Sequence, residues 1–418
     1  MQVHAPVALG GVSRRDPFNA TGRPSWFRYS TDHSQLVPPQ FDRPDFADVA
    51  QSLHGRGTKA GESLWQVLER AVDAAGSAGR VALAGESQGG VMAAFLGIEW
   101  NRVNPDAQLG ADEFRVANSW LSVDPYMRGR MNDAKSYSDP FALGEPMTGG
   151  AVGTVTESNN AEFPVGAKVL HMAGWRDSVV FGGGKTPPAG MPPVKLPDIG
   201  VPDQHWLSII GMPGGTAWFG LLKVAEAKPG EVIFVSAAAG AVGSTVTQIA
   251  KAKGMKVIGS AGGADKCAWV KELGADAVID YKSGKVLPQL MAALKDMGET
   301  GIDVYFDNVG GEHFDAALAT AKEWARFAIC GMIDVYNDFK AQPMQYLPMI
   351  IGKRIMIKGF LYPDFYGQVP EFNADMAGLI QSGAVKGRET VKDGLEKTPE
   401  AFIGLFSGEN TGKMLVKL

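Results

Sequence analysis

The residues best placed to do chemistry form one run, Val232-Ile233-Phe234-Val235-Ser236-Ala237-Ala238-Ala239-Gly240-Ala241-Val242-Gly243-Ser244. β-Branched and aromatic residues give way to small ones and then to a helical pattern, so the spacing predicts a strand, a tight turn and a helix. Only glycine or alanine lets a backbone come close to the oxygens of a pyrophosphate, and the first free amides of a helix attract their charge. The turn Ala239, Gly240, Ala241, Val242 and Gly243 is therefore a candidate dinucleotide seat. A full glycine fingerprint would put glycine at Ala238, so this is the weaker Ala-x-Gly-x-x-Gly form. About 20 residues on, where an NAD site carries Asp or Glu for the ribose hydroxyls, the chain reads Gly259-Ser260-Ala261-Gly262-Gly263. No carboxylate closes that place, and Lys266 just beyond it suits the 2′-phosphate of NADP as a point charge. Asp265, beside it, reads as the cap of the following helix.

A second run, Gly85-Glu86-Ser87-Gln88-Gly89-Gly90, follows a short strand pattern at 81–84 and precedes an apolar helical pattern from Val91. Strand, Gly-x-Ser-x-Gly and helix describe a nucleophile elbow that holds a serine hydroxyl exposed. A working triad also needs an acid and a histidine. His171, His205 and His313 fall in segments that another architecture claims, so a serine hydrolase built on Ser87 stands as a minor alternative.

The elements that must carry these residues are legible in the pattern. From about Met212, apolar strands near 232–235, 256–259, 277–279, 303–306, 326–330 and 355–360 alternate with segments of helical period, which predicts an α/β, doubly wound parallel sheet. The segment from Asp112 to about 211 has short strands (152–155, 168–170) between Gly- and Pro-rich turns and reads as β-barrel material. Within it, Gly182 to Pro188 is a loop whose Lys185 lacks P-loop spacing and reads as a solvated side chain. A last helix near 374–381 leads to a terminal strand, 413–418, expected to return to the barrel. Residues 1–111 form a third, atypical block.

Bulk properties limit the partners. The 418 residues carry a formal charge of -5 and show no basic run, which argues against nucleic acid. No segment approaches the length and apolarity of a membrane span. Cys267 and Cys330 are the two cysteines, too few for a disulfide framework or a cysteine-based zinc site, so they are expected to pack in a reducing, cytoplasmic compartment with no metal bound.

Five blocks then carry a family resemblance: Leu121 to Met131 (LSVDPYMRGRM), Ala237 to Ser244, Phe306 to Gly311 (FDNVGG), Cys330 to Ile333 (CGMI) and Gly408 to Lys413 (GENTGK). In this order they resemble the prostaglandin reductase branch of the medium-chain dehydrogenase/reductases, which includes leukotriene B4 dehydrogenase, curcumin reductase and plant alkenal double-bond reductases. The resemblance implies a GroES-like catalytic barrel from 112–211, an NADP-binding Rossmann domain from 212–382 and a return to the catalytic domain over 383–418. It implies zinc-independent, NADPH-dependent reduction of the carbon-carbon double bond of a small unsaturated aldehyde or ketone, and a homodimer.

Carried over residue by residue, the resemblance makes Tyr336 the group that polarises the carbonyl, with Tyr137 and Tyr126 lining the pocket. Lys266 and Tyr281 would surround the adenosine phosphate. Asn308, Cys330, Gly331, Met332, Ile333, Phe360, Leu361 and Tyr362 would border the nicotinamide, and Asn410 would reach back from the terminal segment. Quinone reduction in the same fold, and a chain that binds cofactor but lacks activity, remain as alternatives. Two departures stand out. The family's opening strands are not recognisable before Asp112, which predicts an exposed barrel edge. Thr247 also stands where a small glycine is expected, which predicts crowding against the sheet.

Overall fold

The computed structural model describes residues 108–142, 145–337 and 343–418 and, before these, two short strand pairs, Arg28–Tyr29 with Leu36–Val37 and Gly85–Ser87 with Gly90–Met92. In the second pair Val91 lies opposite Glu86, antiparallel. The helix expected from Val91 is thus replaced at its start by an extended residue, a conformation that β-branched valine favours. The rest of the elbow, and of block 1–111, lies outside the described residues.

The first sheet is built from β1 (Phe114–Ser122), β2 (Ala151–Ser158), β3 (Lys168–His171), β4 (Ser178–Phe181) and β5 (Val194–Lys195). A single helical turn, α1 (Met127–Arg130), follows β1. The register between β1 and β2 shifts at Arg115/Val116 and again at Asn118/Trp120, and such bulges bend a strand enough to curl a sheet. Phe114, Val116, Val155, Val169 and Phe181 fill the inside, with Phe114 stacked on Phe163 at 4.3 Å.

The second sheet comprises β6 (Val232–Val235), β7 (Lys256–Ala261), β8 (Ala277–Asp280), β9 (Ile302–Asp307), β10 (Ala321–Ile329) and β11 (Met356–Gly359). All its pairings are parallel and the order is β8-β7-β6-β9-β10-β11, the doubly wound arrangement with its switch point between β6 and β9. Ile233, Val235, Val304 and Phe306 pack to one face, and Val232, Phe234 and Tyr305 to the other. Burial on both faces explains why these strands read as continuous apolar runs. Helices α2 (Met212–Phe219), α3 (Ala241–Ala252), α4 (Ala264–Glu272), α5 (Val286–Asp296), α6 (Gly311–Thr320), α7 (Met349–Lys353) and α8 (Val369–Gln381) cover the sheet or connect its strands.

The chain then returns. β12 (Glu389–Asp393), α9 (Thr398–Ser407) and β13 (Lys413–Lys417) complete the first sheet, whose order becomes β12-β13-β1-β2-β3-β5, with β4 also on β1. β13 runs antiparallel to β1, with Val416 opposite Leu121, and parallel to β12.

The structure bears on several of these expectations. β1 has no open side: β2 flanks one side, while β4 at Phe114–Ala117 and β13 at Trp120–Ser122 share the other. The sheet itself stays open, in line with an exposed barrel edge: among the described residues β5 and β12 end its path and β4 pairs on one side, and β5 and β12 are short strands that carry lysine, a common protection against edge pairing. Thr247 is buried, as a residue facing the sheet would be, and its hydroxyl donates to the Gly243 carbonyl at 2.9 Å. Asp265 does not cap α4. The cap position is Gly263, and Asp265 lies in the first helical turn, where its charge faces the positive end of the helix. Lys185 is exposed but paired, its Nζ 2.7 Å from Glu113 Oε1. No helix among the described residues is long and apolar enough to cross a membrane.

Candidate functional site

β6 ends at the switch point, and the turn that follows is shaped by contact distances. Ala237 adopts φ +47°, a left-handed conformation strained for alanine, and Gly240 precedes α3. A Cβ at Gly243 would lie 2.3 Å from the Ala237 carbonyl oxygen, whereas one at Gly240 would meet that oxygen at 3.3 Å. Gly243 therefore lets the helix approach the turn, whereas Gly240 has room for a further carbon. A strand, a left-handed bend and the N-terminus of a 12-residue helix form a cradle that fits a dinucleotide pyrophosphate.

Beside the cradle, Asp307 closes β9. Its Oδ1 accepts hydrogen bonds from Tyr305 Oη (2.7 Å), Ser236 Oγ (3.1 Å), Val309 N (2.9 Å) and Gly310 N (2.8 Å). Burial nonetheless pushes its carboxyl above the usual range. Asn308 donates from its backbone to Ser236 Oγ and from Nδ2 to the Ser236 carbonyl, both at 2.8 Å. Its amide thus ties the ends of β6 and β9 together.

The returning chain docks on the same turn. Gly412 N donates to the Ala239 carbonyl at 2.7 Å, and Gly240 and Gly412 form a parallel bridge. Asn410 stands beside this contact. Its Nδ2 donates to the Gly412 carbonyl at 2.7 Å, so the backbone of Gly412 makes the contact. The next residue, Lys413, is buried; its Nζ donates to the carbonyls of Val123 and Met414 at 2.7 Å and stands 3.3 Å from Asp124 Oδ1. Lys266 Nζ donates to the Gly408 carbonyl at 2.6 Å, and burial lowers its pKa. Tyr281 Oη lies near Gly408 as well, so Lys266, Tyr281 and the end of α9 meet at one place.

At the other end of the cleft, the loop after β10 begins with Cys330 N and Gly331 N donating to the Asp307 carbonyl at 2.9 and 3.1 Å, and continues with Ile333 N on the Asn308 carbonyl at 3.2 Å. Burial pushes the Cys330 thiol up to about 12. Tyr336 folds back over this loop: its hydroxyl oxygen accepts from Met332 N at 3.2 Å, and a Cβ at Gly331 would come within 3.0 Å of it. One lone pair is occupied, and among the described residues the phenolic hydrogen meets no acceptor, so it can donate to a ligand. Burial raises the pKa of the Tyr336 phenol, which keeps that hydrogen in place.

Burial raises the Tyr126 phenol too, and Tyr137, from the barrel side, adds a smaller upward push to both Tyr126 and Tyr336. The Tyr126 hydroxyl is buried with no hydrogen-bond partner among the described residues. Tyr366, which the sequence reading did not single out, joins this group. It packs edge-on against Tyr362 at 5.6 Å and raises the Tyr126 phenol; nothing in its local sequence marks it, since it comes from a surface turn. Phe360 is buried against Phe306 and Phe365 and is part of the core under the cleft. Leu361 stays partly exposed, and Tyr362 lies over Gly215. Among the described residues no group of three or more His, Cys, Asp or Glu is placed to hold a metal ion.

Two family models match the chain, one described as the N-terminal domain of oxidoreductase over residues 88–187 and one as zinc-binding dehydrogenase over residues 241–380. The NADPH-dependent curcumin reductase of Escherichia coli (strain K12) is 39% identical over 316 residues, covering 74% of this chain and 88% of that protein. The chain belongs to the medium-chain dehydrogenase/reductases, in their curcumin reductase and prostaglandin reductase branch. For this member of the branch, an NADP(+)-dependent 2-alkenal reductase of Nicotiana tabacum is 42% identical over 309 residues, 73% of the chain and 88% of the relative. The crystal structure of CurA in complex with NADPH from Vibrio vulnificus superposes with a TM-score of 0.68 at 40% identity, covering 74% of this chain and 92% of that one.

Proposed function

We propose that this medium-chain dehydrogenase/reductase reduces the carbon-carbon double bond of small α,β-unsaturated aldehydes and ketones with NADPH. The observation that carries the reading is Tyr336, whose hydroxyl accepts a backbone hydrogen bond and keeps its own hydrogen free, on a loop that opens from the same strand ends as the cofactor cradle. The names of relatives at 39–42% identity support the cofactor and the substrate class. The cradle Ala239 to Gly243 would hold the pyrophosphate, Lys266 and Tyr281 the 2′-phosphate, and Asn308, Cys330 to Ile333, Leu361 and Tyr362 the borders of the nicotinamide pocket. Domains at 112–211 with 383–418 and at 212–382 carry the two halves of the site.

When bound, NADPH supplies the hydride that reaches the substrate β-carbon. Negative charge then gathers on the carbonyl oxygen, and the Tyr336 hydroxyl donates to it. The α-carbon takes its proton from solvent, so no dedicated acid is required. Tyr126 and Tyr137 line the barrel wall of the pocket, where the unpartnered Tyr126 hydroxyl is a second donor for the substrate. NADPH oxidation with a panel of 2-alkenals and enones tests the reading. Tyr336→Phe should lower kcat by about 10²-fold, the loss seen when one donor to a developing oxyanion is removed. Unchanged turnover in that variant would overturn the assignment.

The finer reading includes a homodimer in the cytoplasm. Among the described residues β11 pairs with β10 alone, and Met356, Ile357 and the nearby-in-sequence Ile351, itself 83% exposed, are all exposed. Arg354 lies over the exposed Trp324 ring at 4.9 Å, a pairing common at interface hot spots. Two-fold pairing of β11 with its copy would extend the sheet and cover this surface. Light scattering on Ile357→Lys should show a monomer if the pairing holds, and an unchanged mass if it does not. Cys267 and Cys330 are both free thiols, in keeping with a reducing compartment.

A further inference from the structure

We propose that Arg128 is a positioning residue for Tyr336, acting through Asn337 across the cleft between barrel and cofactor domain; this rests on the functional reading above. Arg128 belongs to α1 and is 5% exposed. Its Nε donates to Asn337 Oδ1 at 3.0 Å, a bond between residues 209 positions apart, and its Nη1 donates to Asn132 Oδ1 at 3.1 Å. Asn337 directly follows Tyr336.

The two ends of the Tyr336 loop are held from different domains. Its first half is fixed to the cofactor domain, by Cys330 N and Gly331 N on the Asp307 carbonyl, Ile333 N on Asn308 (3.2 Å) and Asp334 N on Val309 (3.1 Å). The backbone amide of Tyr336 bonds only within the loop, to the Ile333 carbonyl at 3.3 Å. The Arg128 bond fixes the far end from the barrel.

α1 is itself a rigid mount. Met127 N and Arg128 N donate to Asp124 and Pro125 at 3.2 and 3.1 Å, and Asp124 is paired with the buried Lys413 of β13. β13 begins beside Gly412, which grips the cofactor turn at Ala239. The bonds therefore run in a ring: cofactor turn, β13, α1, Asn337, Tyr336 and back to the strand ends. A phenol that must meet a developing charge depends on such a mount, because a small misplacement costs much of the rate. Lysine cannot replace Arg128, since it lacks the planar fork that serves Asn337 and Asn132 together.

Arg128→Lys and Asn337→Ala should each lower kcat for a 2-alkenal about tenfold while the NADPH Kd stays within about threefold. Built onto Tyr336→Phe, neither should lower kcat further, whereas general damage would multiply the losses. A readout independent of turnover is the titration of the Tyr336 resonance in protein carrying ¹³C-labelled tyrosine, assigned with Tyr336→Phe. In both variants its midpoint should fall toward that of a free tyrosine as the ring leaves its seat. Multiplied losses, or an unshifted titration in both variants, would overturn the proposal. A wild-type protein with no alkenal turnover would sink the functional reading instead, and the resonance would still decide the anchor.

Discussion

Gly240 and Gly243 are both glycines of the cofactor turn, yet alanine should be tolerated at one and not at the other. At Gly243 an added Cβ would sit 2.3 Å from the Ala237 carbonyl oxygen, 2.8 Å from its carbon and 2.9 Å from Ala238 Cα. All three are backbone atoms that cannot rotate away, so α3 or the turn must move. Overpacking of this kind costs about 1–3 kcal/mol. At Gly240 the nearest atom is 3.3 Å away, an adjustment of a few tenths of an ångström. If the strain falls on the cradle, Gly243→Ala should weaken NADPH binding by about 5- to 150-fold at 1.4 kcal/mol per decade, and Gly240→Ala by about threefold or less. Fluorescence titration of NADPH gives the affinity, and thermal unfolding of the apoprotein gives any share of the strain released through stability. Equal behaviour of the two variants in both measurements, or a larger effect at Gly240, would refute this account of the turn.

Three further outcomes are expected. Lys266→Ala should weaken NADPH by about tenfold and leave NADH within about twofold, because a charged partner for a phosphate contributes more than a neutral hydrogen bond; parallel titrations decide it. Lys413→Met should destabilise the fold by about 3–5 kcal/mol in urea unfolding, since it leaves Asp124 buried without its cation; a loss below about 1 kcal/mol would contradict that. His171 and His313 are buried and neutral, with pKa values lowered to about 3 and about 4 by loss of hydration. The unfolded chain binds protons at these rings below about pH 6.5 and the folded chain does not, so stability should drop as pH falls from 6.5. At pH 5 the two rings together account for about 4 kcal/mol, and urea unfolding at pH 7 and pH 5 should reveal it.

The parts of the molecule that were legible beforehand are those that short-range physics dictates. Val232 to Val235 had to be a strand buried on both faces, because the run has no polar side, and the small residues after it had to turn. The parallel, doubly wound class of the sheet followed from alternation with helices. What escaped notice depends on contacts distant in sequence. The left-handed Ala237 is set by the packing of α3 on the turn rather than by its own preference. In β10, which starts at Ala321 rather than near 326, Trp324 is held at φ +64°, and the register with β9 slips between Ile302 and Val304; an exposed aromatic gives no periodic sign of such a bulge. That the backbone of Gly412 would bond the Ala239 carbonyl was not legible either, since spacing shows nearness but not which atom makes the bond. Tyr366 sits in no pattern of its own, and although Arg128 lies in the LSVDPYMRGRM block, its partner Asn337 is 209 positions away.

The embrace of β1 by β13 has a consequence for how the chain comes to life. Lys413 Nζ reaches the Val123 carbonyl across 290 positions of sequence, and the whole doubly wound sheet is strung between them. A growing polypeptide must therefore emerge through all of that intervening length before its first-made barrel strand can find this neighbour. Contacts of such long range are slow to form, so the earlier half-sheet has to wait, shielded or chaperoned, while the central domain condenses first. Maturation of the pocket is then the last event, and ribosomes stalled before codon 413 should release chains that already resist protease over the central sheet but not over 114–195.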